Sequence, residues 1–454
     1  MPTARKGGHS SALRTRVPSH SGTGRRPAWL GEARLPTYPI RASHHDFRRS
    51  RQPCRRQPTT VVAPRQRIDH VALTSTIAKA PAAAATDLDA IAAKVQDGMR
   101  LDRAEGLALL RCEELAFLGD LATLVRERLR PERTVSYIID RNINPTNVCV
   151  ARCSFCAFDR LPGDPEGYVL SHEQVFAKVD ELLAVPGVDA ALIERGGVQV
   201  LLQGGHHPKL GIEWYEALFR ALRARYPKLH IHGLSPSEIV HVGKLSHLSI
   251  DAVVGRLQRA GLDSIPGGGG EILVDRVRRE IAPGKAMTAE WLEVMRVAHR
   301  HGMMTTATMM YGHVERPEER IDHLLELRAL QDESLRAGRG SFTAFICWPF
   351  QPGGSELDCV KSGANEFLRM NAVARLLLDN FPHQQTSFVT QGDKLGQLAL
   401  FFGCDDFGGT MLEENVVSAA GTQCLITIEQ IEHCIRAAGY EPVRRNQRYE
   451  LLRR

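Results

Sequence analysis

Between residues 134 and 412 the chain alternates short β-type runs with longer amphipathic segments, and this alternation constrains the fold more than any other feature. The β-type runs are residues 134–139, 198–202, 229–234, 263–265, 305–311, 342–348, 386–390 and 410–412. Segments with helical apolar spacing lie between them, at 171–184, 213–225, 237–260, 271–281, 288–301, 317–334 and 364–380, and a last one follows at 428–438. Strands separated by helices pair in parallel, because each helix carries the chain back to the starting edge of the sheet. Up to eight such strands over roughly 300 residues predict an α/β fold, a (β/α) TIM-type barrel that is complete or nearly so. Ahead of the first strand, Leu107, Leu110, Leu115, Leu118, Leu121 and Leu124 recur at helical spacing and predict N-terminal helices.

Charge divides the chain differently from its net value. The formal charge is +6, yet residues 1–85 hold sixteen Lys or Arg against three acids, a local +13, which leaves −7 on the remainder. Nine prolines and three Arg-Arg pairs interrupt any apolar period in that leader, so no packed core is available to it. It resembles an organelle transit peptide, but its proline density works against an amphipathic helix, and an inert upstream extension is the expectation. The division expected is therefore a leader over 1–85, a helical segment over 86–130 and the barrel over 131–454. The acidic main part removes the support for nucleic-acid binding. No run approaches the roughly 18 apolar residues of a membrane span.

Ten cysteines are dispersed without a secretory signal, which predicts a reducing, cytoplasmic setting. Three of them stand apart. Cys149, Cys153 and Cys156 fall within eight residues, directly after the first β-type run. Structural zinc takes four ligands in a closed tetrahedron, usually from two paired knuckles, and no second Cys-x-x-Cys is present. Three thiolates on a 4Fe–4S cluster instead leave one iron open.

This Cys-x-x-x-Cys-x-aromatic-Cys pattern, with Phe155 as the aromatic, resembles the radical S-adenosylmethionine superfamily. The resemblance implies that Cys149, Cys153 and Cys156 hold a 4Fe–4S cluster whose open iron binds S-adenosyl-L-methionine. It continues through Asn142-Ile-Asn-Pro-Thr-Asn-Val-Cys149, Glu166-Gly-Tyr168, Leu201-Leu-Gln-Gly-Gly-His206, His230-Ile-His-Gly-Leu-Ser-Pro236 and the stretch from Gly261 through Gly267–Gly270 to Leu273. Thr305 to Gly312, Trp348-Pro-Phe-Gln-Pro352, Thr390-Gln-Gly392 and Glu413-Glu-Asn-Val416 extend it toward the C-terminus. Together these are similar to the subgroup of aminofutalosine synthase, FO synthase and, most of all, the cyclic dehypoxanthine futalosine synthases of menaquinone biosynthesis.

By that resemblance the substrate is dehypoxanthine futalosine, and flavodoxin or ferredoxin supplies the first electron. Gly204, Gly205, Ser235, Glu271 and Gly312 are the expected cofactor contacts, with Arg276, Arg278 and Arg279 as further candidates beside Glu271. His206 and His232 are the candidate general bases, since imidazole titrates near neutral pH. Departures from the pattern are Pro145, His207 and a surface insertion over 186–194.

Overall fold

β1 (Thr134–Ile143) is buried along its whole length although it carries Asp140, Arg141 and Asn142, because it has a hydrogen-bonded neighbour on each edge. The structure, a computed structural model, describes residues 87–422 and 425–453; the basic leader over 1–85 lies outside the described residues. After β1 come β2 (Val198–Leu202), β3 (His230–Gly233), β4 (Ser264–Ile265), β5 (Met304–Tyr311), β6 (Phe342–Pro349), β7 (His383–Gln385) and β8 (Asp406–Gly409). Each pairs in parallel with its successor, and β8 and β2 both pair with β1, so eight strands close a barrel. A ninth, β9 (Glu441–Arg444), runs parallel beside the start of β1, from Thr134 to Tyr137.

Helices wrap the outside with apolar faces inward. Val253, Val254 and Leu257 are buried in the helix Ile250–Ala260, and Trp291, Val294 and Met295 in the helix Thr288–Arg300. Among the described residues three helices, Leu88–Gln96, Arg103–Arg111 and Leu115–Leu129, precede the barrel; the second opens on a capping box between Asp102 and Glu105.

Three sequence expectations are displaced. The run 386–390 is not a strand: β7 ends at Gln385, and Phe388–Gln391 forms a short helix over the barrel mouth. The last barrel strand is Asp406–Gly409 rather than 410–412. Its Asp-Phe-Gly-Gly sequence has weak β propensity, but tertiary contact overrides it. A Cβ on Gly409 would lie 2.1 Å from Asp140 Oδ1, so glycine in β8 leaves the Asp140 carboxylate of β1 its place. The segment 237–260 is two helices, broken where His247 adopts φ 54° and Ser249 caps the second.

The segment after β9 packs against the N-terminal end of the barrel. Arg445 donates to both carboxylate oxygens of Asp406, at 2.5 and 2.9 Å, and its guanidinium lies 3.9 Å over the Tyr449 ring. Tyr449 in turn stacks on His383, whose Nδ1 lies 2.6 Å from Asp405. A buried ion pair broken on one side leaves an uncompensated charge. Arg445→Leu is therefore expected to destabilise the fold by about 3–5 kcal/mol, read from the midpoint of urea unfolding, whereas Arg300→Leu on the exposed helix face should change it little.

Candidate active site

A cavity of about 400 Å³ occupies the barrel between the loop after β1 at the C-terminal mouth and Arg445, Gln447 and Tyr449 at the floor. Active sites of such barrels lie at this C-terminal mouth. The loop is built by its own polar residues. Asn147 accepts from the Tyr168 N–H at 2.8 Å and donates to the Glu166 carbonyl at 3.0 Å, so the two sequence motifs lock together. Backbone bonds between Cys149 and Arg160, and between Arg160 and Asn147, both 2.9 Å, complete the clasp.

All three thiols of this loop line the cavity. Cys149 and Cys153 are buried and Cys156 partly so. Burial pushes the Cys153 thiol up to about 12 while the Lys285 ammonium pulls it back; Cys156 is raised for the same first reason. Cys149 Sγ accepts from the backbone N–H groups of His206, at 3.3 Å, and Ala151, at 3.4 Å. Among the described residues no three metal-ligating side chains converge on a single-ion position. Three thiols lining the cavity, with N–H donors and a cation beside them, fit a cluster held by three cysteines.

Gly204 and Gly205 follow β2 and lie directly under the loop. A Cβ on Gly205 would sit 2.3 Å from the Val148 carbonyl, and one on Gly204 2.8 Å from that of Thr146. The Gly204 N–H donates to Glu238 Oε1 at 2.9 Å. Glu238 also closes the capping box of the helix Pro236–Ser246 with Ser235, whose hydroxyl donates to it at 2.6 Å. Ser235 lines the cavity, but its hydroxyl is engaged in that cap.

Glu271 is buried with a strained φ of 36°; its Oε1 accepts from Lys285 Nζ at 2.9 Å and its Oε2 has no hydrogen-bond partner among the described residues. Burial alone would depress Lys285, but Glu271 and Cys153 outweigh it and hold the ammonium above its usual range. Lys285 also lies 5.0 Å from the Phe155 ring centroid. Nothing in the Ala-Pro-Gly-Lys stretch marks it as a site residue: Gly284, packed against Ala151, carries it under the loop from outside any strand end. None of the three arginines lines the cavity, although Arg278 Nη1 lies 3.9 Å from Glu271 Oε2. Arg278 is spent on the Gly269, Gly270 and Ala286 carbonyls, Arg276 on Glu319, and Arg279 on Asp275. Gly312 is not among the lining residues; its N–H donates to Glu315 at 2.6 Å.

Both candidate histidines line the cavity and are held neutral by burial, well below the ordinary imidazole range. His206 stacks on His241 with ring centroids 4.8 Å apart, and its Nδ1 is buried without a partner. His232 Nδ1 lies 2.6 Å from Ser264 Oγ. Further down, one wall is polar, with Asn142, Gln199 and Asp140, whose carboxyl burial pushes up to about 6. The facing wall carries Met310, Ile346, Trp348 and Phe350. Asn142 Oδ1, Gln199 Oε1, Thr386 Oγ1 and Tyr449 OH are buried and unpartnered, which costs free energy unless a ligand supplies the missing bonds.

Gly205→Val is expected to push the cysteine loop off the barrel and remove most of the iron and sulfide taken up on anaerobic reconstitution. Iron per chain and the visible absorbance measure this independently of turnover.

Residues 143–327 match the radical SAM superfamily, and residues 339–454 match the CofH/MqnC C-terminal region. The chain is 39% identical over 367 residues to a cyclic dehypoxanthine futalosine synthase from Halalkalibacterium halodurans, covering 81% of this chain and 95% of that protein. It is also 39% identical over 371 residues to an aminodeoxyfutalosine synthase from Thermus thermophilus, covering 80% and 95%. Among solved structures it resembles methylornithine synthase in fold, with a TM-score of 0.59 at 17% identity over 78% of this chain and 97% of that one. Motif, barrel and relatives agree: the chain is a radical S-adenosylmethionine enzyme and belongs, within that superfamily, to the family of futalosine-type synthases.

Proposed function

We propose that the chain converts dehypoxanthine futalosine to its cyclic form, the activity by which its Halalkalibacterium relative is named. One observation carries this choice within the family. Among the described residues lining the cavity, the cations are Lys285 and Arg445, and each is already paired, with Glu271 and Asp406. Both candidate substrates carry a benzoate carboxylate, but the enolpyruvyl group of the aminofutalosine-type substrate adds a second one, so the cyclisation substrate asks less of a cavity whose cations are already paired. A cavity with unpartnered amide groups on one wall, unpartnered hydroxyls at Thr386 and Tyr449 and an apolar wall facing the amides instead suits a ribose joined to an aromatic ring.

In this reading Cys149, Cys153 and Cys156 hold the 4Fe–4S cluster, and Gly204, Gly205, Glu271 and Lys285 face the methionine end of S-adenosylmethionine. When bound, cluster and cofactor supply the hydrogen-abstracting radical. The chain's own residues then position and protect. Asn142 and Gln199 hold sugar hydroxyls so that the C4′ hydrogen faces the mouth. Met310, Ile346, Trp348 and Phe350 press the benzoate ring against the ribose and exclude water that would quench a carbon radical. Ring closure costs the substrate two hydrogens: one would leave as an atom to the cofactor-derived radical and the other as a proton with one electron, the electron returning to the cluster and the proton going to a buried neutral histidine, which is suited to accept it. A one-electron donor such as flavodoxin or ferredoxin is part of the proposal. So is a cytoplasmic setting, which the free thiols of the eight described cysteines support. Among the described residues no helix is long and apolar enough to cross a membrane.

Reduced, reconstituted enzyme given S-adenosylmethionine and dehypoxanthine futalosine is expected to yield a product two hydrogens lighter by mass spectrometry. Unchanged substrate, with adenosylation of an enolpyruvyl benzoate instead, would move the assignment to the aminofutalosine reaction. Cys149→Ala should abolish cofactor cleavage outright, and cleavage at the normal rate would reject the ligand assignment.

A further inference from the structure

His230 and His232 both lie on β3, two residues apart and therefore on the same face of the strand. Ser264 of β4 sits opposite His232 in the sheet register. Its hydroxyl oxygen lies 2.7 Å from His230 Nε2 and 2.6 Å from His232 Nδ1, so one serine bridges two imidazoles. The two ends of this chain differ. His232 is 4% exposed and lines the cavity; His230 is partly exposed at the start of β3, next to the Arg223–Asp263 ion pair at the barrel rim. No hydrogen-bond partner for His232 Nε2 is found among the described residues. A serine placed solely to satisfy a buried histidine needs only one ring nitrogen. Bridging two, with one end at the cavity and the other toward solvent, makes a continuous path for a proton.

We infer that His232, Ser264 and His230 form a proton relay that carries the proton lost by the cavity ligand to solvent at the N-terminal end of the barrel. The inference rests on the cyclisation reading for the origin of that proton. The transfer balances without a redox partner. An N–H bond forms at His232 Nε2 as the Nδ1–H passes to Ser264 Oγ, the serine's own proton passes to His230 Nε2, and an N–H bond breaks at His230 Nδ1 to release one proton. Neutral rings are required at the start, and burial keeps both imidazoles below their usual range, His230 at about 4. The relay takes the proton out at the end of the barrel away from the cysteines.

Full-length reconstituted enzyme separates the relay from a merely structural role. His230→Gln keeps a hydrogen-bonding group where Nε2 lies, yet an amide cannot pass a proton on. Ser264→Ala breaks the bridge, and Ser264→Thr retains the hydroxyl. In single turnovers with dehypoxanthine futalosine, followed by a pH-indicator dye and by product mass, His230→Gln and Ser264→Ala should slow proton release about 10- to 100-fold. KM and thermal midpoint should stay near wild type, and Ser264→Thr should recover most of the rate. Added imidazole should rescue His230→Gln, whose lost group faces solvent, and not Ser264→Ala. Wild-type proton release in both His230→Gln and Ser264→Ala, with product formed, would overturn the relay. Absence of cyclised product from the wild type would instead overturn the substrate reading, so the two failures are distinguishable. Nitrogen NMR of the imidazoles gives a measurement that needs no loaded enzyme: the His232 tautomer signal should shift in Ser264→Ala and stay in Ser264→Thr, and no difference between them would also reject the bridge.

Discussion

Closure of the sheet at β1 is the constraint on which the rest of the molecule depends. β1 is hydrogen-bonded to β2 along Ile139 to Ile143 and to β8 near its start. Parallel strands are stable only with both faces covered, and a closed barrel also leaves no open edge. Once β1 is held on both edges, Asp140 and Asn142 line the interior, and the chain leaving Ile143 crosses the mouth. The cysteine loop is thus placed over the cavity by main-chain hydrogen bonding rather than by its own rigidity. Within this closure the Asp140 carboxylate lies against Gly409, where a side chain would displace it.

The cavity divides its labour by height. At the mouth, Lys285, the Cys149 N–H donors and the two glycines after β2 make a polar cradle under the thiols. In the middle, a polar wall from β1 and β2 faces an apolar wall from β5 and β6. At the floor, Asp406, Arg445, Tyr449 and His383 form a closed set of ion pair and stacked rings, while the His232–Ser264–His230 bridge runs beside it. Buried polar groups are tolerated where they are paired, and among the unpaired ones Asn142, Gln199, His206, Glu271, Thr386 and Tyr449 line the cavity, where a ligand would pair them.

Much of this was legible in the linear chain. Six of the eight barrel strands fall where β-branched and apolar runs predict them, because those strands bury their side chains by a local pattern. β7 and β8 were misplaced by a few residues: His383–Gln385 and Asp406–Gly409 are polar or glycine-rich and become strands only through their neighbours. The thiols, Gly204, Gly205, Glu271 and both histidines line the cavity as the motifs imply, whereas Gly312 and the arginines after Glu271 do not. Those arginines have the same charge and spacing a ligand site would show, and their burial against carbonyls and carboxylates is invisible before folding.

Sequence by itself determined the chemistry class and the architecture. Three cysteines in a short loop after a first strand, and a strand–helix period sustained over most of the chain, are local patterns that survive without knowing any contact. Only the tertiary structure decided which polar groups are free to act. Lys285 reaches the thiols from a loop more than a hundred residues downstream, Ser235 is spent on a helix cap, and Ser264 joins two histidines across a strand pair. The physical reason is that a side chain's protonation and availability depend on burial and partners, and partners are chosen by the fold, not by the neighbours in the chain.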